Sequence, residues 1–505
     1  MQLPSSRRRC GRILLPTMRT KLLSLAVCLA VAGCGGREGN SPGAATGGTM
    51  AISVPADAAT IFPPHVFDQV GRAVQDQLFD RLADISDDLN TIGDKGFKPR
   101  LADRWEWSRD SLSVAFHINP RARWHDGQPV RASDVRYSYR IFTDPKVGSN
   151  VTSEISTIDS VSVRDSLTAV VWYKQKRPEA FYDFVYQIYI VPEHVYKDIP
   201  PEQLRTSDVT RKGIGSGQFR LARWDAGQRL EIVADTANYR GRPKLDRVVW
   251  SMVPDAGAAL AQLLNGQADF LEFVPPDQLR LVDSSKADRT LPYPSLQYAF
   301  LGFNLVDAKD ATRPHSIFGD RQVRRALSMA LDRKAMLQNV YGTFGRMSYG
   351  PFPRSLSYAD TTLHLLPYDV NAAKVLLDSA GWREPSPGAV RQKNGRPLRF
   401  SLTLPLSSRP RVAFGVLIQE QLRRIGAQVD LDQVQGKYMR RAFQLQIDDA
   451  PAVWLYDLST VAGIQRRIHP TVLRADGWSI HLPDWTIPPN ERIARDRVGL
   501  GGATP

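Results

Sequence analysis

The sequence predicts an α+β protein built from several lobes, on three observations. Strand-like segments with alternating apolar and polar residues are mixed with helix-like segments whose apolar residues recur every three or four positions. No regular strand–helix–strand rhythm and no tandem repeat orders them, which argues against one wound parallel sheet. At 505 residues the chain is too long for one compact core, so two or three lobes are expected.

The first element is a membrane address. Arg19 and Lys21 precede an apolar run over 22–33 and then Cys34. A short basic region, about 12 apolar residues and small residues before a cut site form a secretory signal, too short to span a bilayer. Residues 1–17 add nothing to it, and Met18 is the better start. Val31, Ala32, Gly33 and Cys34 resemble the bacterial lipobox, which implies that residues 1–33 are removed and that Cys34 carries acyl chains. Several chains bury enough methylenes for stable anchoring. Residues 35–49, GGREGNSPGAATGGT, read as a flexible tether. No later run of 18 apolar residues occurs, which predicts a body outside the bilayer.

In the body, Leu112, Val114, Phe116 and Ile118 alternate with polar residues and predict a half-buried strand. Trp124 to Gly127 reads as a turn, followed by a helix capped by Ser133 with Val135, Tyr139 and Phe142 on one face. GIGSG at 213–217 leads into a strand pair at 219–224 and 230–234, and a short helix over 257–265 stops at Gly266. Asp320 caps one helix bearing Val323, Leu327, Leu331 and Val340 and stopping at Gly342. Asp369 caps another that stops at Gly381, and a third ending at Gly426 feeds a strand at 429–431.

Charge and cysteine usage exclude several functions. The formal charge of +14 suggests a nucleic-acid binder, yet residues 1–33 hold six basic residues and no acids, and the rest carries only +8. Those remaining basic residues occur as isolated doublets, such as Arg324 and Arg325, without interleaved aromatics, so no nucleic-acid partner is expected. The cysteines are Cys10, Cys28 and Cys34, so the body has neither a disulfide nor a thiolate metal site. That avoidance suits an oxidising compartment. The eight histidines never pair at metal-binding spacing, and no metal or cofactor is expected. The glycines at 213–217 lack the lysine and hydroxyl ending of a phosphate loop and precede a strand, so a tight turn is the better reading. His125 and Asp126, beside Gly127, read as turn residues. Nothing in the chain requires an enzyme.

Many blocks, in order, resemble the family 5 extracellular solute-binding proteins, the dipeptide and oligopeptide receptors of ABC importers. They include PRLADRW at 99–105, FHINPRARWHDGQPVRASDV at 116–135, GIGSGQFRLARW at 213–224, LNGQAD at 264–269 and FGDRQVRRALSMALDR at 318–333. The resemblance runs from about residue 50 to 440 and resumes near 449–451. It implies a periplasmic-binding-protein-like clamp of type II, with two hinged halves and three lobes. Lobe I would combine 50–92, 206–276 and 446–505, with lobe II inserted at 93–205 and lobe III at 277–445. It further implies a periplasmic, lipid-tethered receptor that acts as a monomer, encloses a peptide or similar solute and hands it to a permease.

The sequence departs from that family near 440–448, where tens of residues of the usual pattern are missing and lobe III is incomplete. The acid that meets a peptide's amino terminus in relatives has no counterpart to carry over. Asp448 and Asp449 read as the polar face of a closing helix. Ligand-site candidates are Phe62, His65, Phe67 and Gln69, on a segment resembling the cleft border of lobe I. Tyr298, Phe303 and Asn304 are candidates on the strand entering the second half. Arg333 is a candidate cleft cation, or a partner for Asp332 or Asp320. A nickel chelate, an oligosaccharide or an opine-like amine stays open as the ligand. So do an envelope sensor or chaperone built on the same clamp and a defective shortened paralogue, with an exported hydrolase ranked last.

Overall fold

The computed structural model describes residues 46–307, 309–310, 312–350, 352–356, 359–360, 362–405, 408–434, 452–458 and 460–500. The leader at 1–33, Cys34, the tether to residue 45, and Asp448 and Asp449 lie outside the described residues, as does the shortened stretch at 440–448. The tether ends earlier than its composition suggests. Gly47 N–H already donates to Lys244 O at 2.6 Å, and Thr49 begins the first strand with its side chain buried.

That strand, Thr49–Val54, lies inside a seven-stranded mixed sheet. The order is Asp288–Tyr293, Thr460–Gln465, Phe270–Leu271, Thr49–Val54, Arg247–Met252, Arg229–Ala234, Phe219–Asp225. It runs parallel to both neighbours and is buried along nearly its whole length, as parallel strands covered on both faces are. Met50, Ile52, Trp250, Phe270, Trp478 and Trp485 form its core. Ionic ties fasten the C-terminal segment to this strand. Asp269, fully buried, accepts from Ala51 N–H at 2.8 Å, from Arg467 Nε at 2.8 Å and from Arg495. Arg467 also meets Asp496 at 2.7 Å, and Asp496 accepts from Thr49 N–H at 2.7 Å.

A four-stranded antiparallel sheet has the order Ala102–Trp107, Ser113–Ile118, Thr168–Tyr173, Ile158–Asp165. With the helix Ala132–Thr143 it encloses a second core around Phe116, Phe142, Phe181 and Phe184. The strand at 113–118 is not half-buried as its alternation predicts. It is an interior strand, and the small residues Ser113 and Ala115 on its second face are covered as well. The following helix is capped differently too. It starts at Ala132, and the Asp134 carboxylate reaches back to accept from Arg131 N–H at 2.8 Å, which leaves Ser133 inside the first turn.

The glycines at 213–217 make a turn, with Gly213 at φ +58°, but their larger role is close packing. Gly217 N–H donates to Leu78 O at 2.9 Å, and Cβ atoms on Gly215 and Gly217 would collide with the carbonyl oxygens of Leu78 and Gln77. His125 locks the same loop. Its Nδ1 accepts from Gly215 N–H at 3.1 Å, so Nε2 carries the proton and donates to Gly217 O at 3.0 Å. Burial pushes the imidazole pKa below its ordinary value, which suits this neutral, fixed tautomer.

A third core holds Val323, Leu327, Leu377, Trp382, Phe414 and Ile418. The single helix expected from Asp320 to Gly342 is two helices, Arg321–Met329 and Arg333–Tyr341. Asp332 causes the break: its side chain caps the second helix at Ala335 N–H, 2.9 Å, while its own N–H donates to Gln421 Oε1 at 2.7 Å. The helices Val370–Ser379 and Arg409–Arg423 complete this half. Strands Arg399–Pro405 and Gln428–Val434 pair in parallel, and Tyr298–Gly302, Ala452–Leu458 and Gly345–Arg346 form a separate three-stranded sheet.

The chain passes between these two sheet systems twice. It leaves the seven-stranded sheet after Tyr293 and joins the three-stranded sheet at Tyr298; it leaves that sheet after Leu458 and returns at Thr460. Among the described residues no helix is long and apolar enough to cross a membrane.

Candidate functional site

The sequence candidates fall into separate places. Pro63–His65 form a 3-10 turn, and Asp68 then caps the helix Gln69–Leu78 by accepting from Gly71 N–H at 2.7 Å. Within this segment Phe62 is fully buried, its ring centroid 5.0 Å from that of Tyr196, so it is core and not cleft wall. His65 is buried as well. Its Nε2 lies 2.8 Å from Val147 O, and burial lowers its pKa, so it acts as a neutral strut. Phe67 is the opposite case, 66% exposed.

Gln69 points to a group that the sequence reading passed over. Its amide donates to Glu272 Oε1, which also accepts from Tyr293 OH at 3.2 Å. Burial pushes the Glu272 carboxyl up to about 7, against hydrogen bonds from Trp478 and Tyr293 that favour the ionised form. Glu272 follows the strand Phe270–Leu271, and Tyr293 is the last residue before the chain crosses to the second half. The cluster therefore stands at the end of the sheet that faces the crossing. Phe273, beside it, is 53% exposed.

Three candidates of the second half do come together. Tyr298, Phe303 and Asn304 line a cavity of about 450 Å³, bounded across from them by Phe400–Pro405 and by Arg411, Phe414 and Leu455. Phe303 contributes little surface, since it is buried against Phe318 with ring centroids 5.2 Å apart. Arg333 does not reach this cavity. Its guanidinium is buried and donates to Leu366 O, while Asp320 and Asp332, the two acids expected to pair with it, accept backbone N–H groups as helix caps instead. The predominantly apolar wall with a few polar groups has the character of a small-molecule site.

A protein of two sheet systems joined by paired crossings, with aromatic and polar groups at the junction, belongs to the class of solute-binding clamps. Residues 96–462 match the family described as bacterial extracellular solute-binding proteins, family 5 Middle. The chain belongs to that family. The oligopeptide-binding protein AppA of Bacillus subtilis is 26% identical over 432 residues, which cover 84% of this chain and 76% of that protein. Heme-binding protein A of Haemophilus influenzae is 25% identical over 355 residues, 65% of this chain and 62% of that one. Among solved structures, AppA of Bacillus subtilis with a nonapeptide superposes with a TM-score of 0.69 at 20% identity, covering 88% of this chain and all of that one. NikA from Brucella suis with Fe(III)-EDTA gives a TM-score of 0.75 at 17% identity, covering 87% and 99%. The fold is thus the α+β periplasmic-binding-protein-like clamp that the sequence motifs imply.

Proposed function

We propose that the chain is the solute receptor of an ABC importer, that its ligand is a peptide, and that it works from the cell envelope while held by lipid on Cys34. The paired crossings support this above all. Tyr293 stands opposite Thr460 in one sheet and Tyr298 opposite Asp457 in the next, so the two connections run side by side. Two short adjoining connections make a hinge, because a few residues absorb the whole rotation. We set the boundaries of the halves there. The first half then keeps 277–293, expected in lobe III, and the second gains 452–458, expected in lobe I.

Capture by such a clamp asks for contacts and not for a nucleophile. A ligand touched by both halves in the closed form alone stabilises that form by about 2.7 kcal/mol at a hundredfold excess over Kd. The permease then reads closure. The exposed Phe67 and Phe273 and the apolar cavity suit a ligand held by apolar area and backbone hydrogen bonds. The likeness to an oligopeptide-binding protein over most of the chain favours a peptide over a metal chelate.

Native mass spectrometry of the full chain, expressed with its leader and released from membranes in detergent, tests both parts. The expected spectrum is a polypeptide beginning at Cys34 with acyl chains attached, in a one-to-one complex with short peptides. A chain that keeps residues 18–33 would contradict the anchor, and a chain that binds no member of a mixed peptide pool would contradict the receptor.

A further inference from the structure

Two sheets of the second half cover one core without pairing to each other. Ala299 and Leu301 of the three-stranded sheet and Phe400 and Leu402 of the two-stranded sheet pack against the same third core. Tyr298–Gly302 is the end strand of the first, and Arg399–Pro405 has one pairing partner among the described residues. The cavity described above lies between these two strands, and its lining shows how they face it. Residues 298–304 and 400–405 line it without interruption. The face of a sheet would present only every second residue, because side chains alternate. An unbroken run means that strand edges border the cavity. Phe414, Ile418 and Leu422, on successive turns of the helix Arg409–Arg423, give it an apolar floor.

Backbone groups of one strand can be assigned to this cavity. Leu398 O accepts from Gln428 N–H at 2.9 Å. Backbone direction alternates along a strand, so Phe400, Leu402 and Leu404 turn their N–H and C=O to Gln428–Val434. Ser401 and Thr403 turn theirs the other way, to the cavity. Such an edge is a template for one more strand. Its length suits a segment of about six residues, roughly 20 Å. Among the residues lining it only Arg411 is charged, so charge does little to choose the occupant. Main-chain hydrogen bonds and apolar side chains choose it, which points to a polypeptide and not to a sugar or a metal chelate.

We propose that this slot binds an extended segment of another polypeptide as an added β-strand, with every second side chain apolar and set on the helix floor. The site goes beyond the receptor reading, which needs contacts from both halves, because the residues lining it belong to the second half alone. Occupation therefore requires no closure.

The test measures binding of a labelled decapeptide, three Thr-Val pairs flanked by Ser-Gly and Gly-Ser, to the full chain in detergent. Two relatives of it serve as comparisons, one with the threonine and valine amides N-methylated and one with the threonines and valines in separate blocks. The wild-type chain is expected to bind the first peptide and to bind the other two about tenfold or more weakly. Thr403→Pro removes the N–H that faces the cavity and keeps the pairing to Gln428–Val434, a change that edge strands tolerate. It is expected to lose the first peptide by a similar factor while its urea midpoint stays unchanged. If that chain fails to fold, the N-methylated peptide alone decides. Equal wild-type affinity for the plain and N-methylated peptides would overturn main-chain pairing with no variant involved. Equal affinity for the alternating and block peptides would overturn the seating on the floor. A folded Thr403→Pro chain that binds as the wild type does, with the halves drawing together on binding, would assign the peptide to the clamp and overturn the slot. A wild-type chain that dimerises without peptide, and stops doing so as Thr403→Pro, would make a second copy the occupant and overturn the proposal. So would a wild-type chain that binds none of the three peptides, and the receptor reading would stand untouched by that result, since closure on other ligands is measured separately.

Discussion

Gly215→Ala is expected to destabilise the protein by about 3 kcal/mol, at the upper end of what overpacking costs. The backbone angles at 215 are not the reason, for its φ is outside the left-handed region. The reason is contact: an added methyl would enter the space of the Leu78 carbonyl oxygen, which is backbone and already accepts from Gly217 N–H at 2.9 Å. Relief requires moving the loop away from the helix Gln69–Leu78, and that motion also breaks the hydrogen bond from Gly215 to His125. The loss is large against a typical total of about 5–15 kcal/mol. Urea denaturation of the full chain measures it, with Gly350→Ala as control, since the nearest heavy atom to a Cβ there is 4.0 Å away. An unchanged midpoint for Gly215→Ala would refute the packing argument.

Asp269→Asn is expected to cost about 3–5 kcal/mol, the range for breaking one side of a buried ionic group. The carboxylate is fully buried and faces two arginines, Arg467 and Arg495. Asparagine keeps the size but places an amide N–H where an acceptor is needed, and leaves both guanidinium groups short of charge. Asp496 cannot serve both, because it already pairs with Arg467 at 2.7 Å and accepts from the backbone of Thr49 and Ile493. The damage would spread to the attachment of residues 466–500 on the first strand. An unfolding free energy within about 0.5 kcal/mol of wild type, the usual size of a surface effect, would show that the pair adds nothing net.

What the sequence reveals here is what neighbours along the chain decide. Asp320 and Asp369 cap helices as expected, because each carboxylate reaches an N–H two or three residues on. Asp332 escaped for the same local reason: the apolar spacing runs on through Val340, and nothing nearby in sequence shows that Gln421 would hold the broken turn. The glycine loop was recognisable as a turn, but its packing partner lies near residue 78. The candidate site divides in the same way. Tyr298, Phe303 and Asn304 share one strand entry, and the fold keeps them together. Phe62 and His65 sit on a segment that resembles a cleft border, yet Tyr196 and Val147, distant in sequence, bury them. Glu272, in the run Leu271, Glu272, Phe273, looks like an ordinary solvated acid until Gln69 and Tyr293 are brought to it from elsewhere in the chain.

Ligand-driven closure is best tested by the distance between the halves. The body has no cysteine beyond Cys34, so cysteines introduced at Glu154 in the first half and Val375 in the second, both exposed, take spin labels selectively. Pulsed electron spin resonance on the lipid-anchored chain should give a broad distance distribution without ligand and a shorter, narrower one with saturating peptide. One distribution, identical with and without every peptide offered, would contradict the clamp.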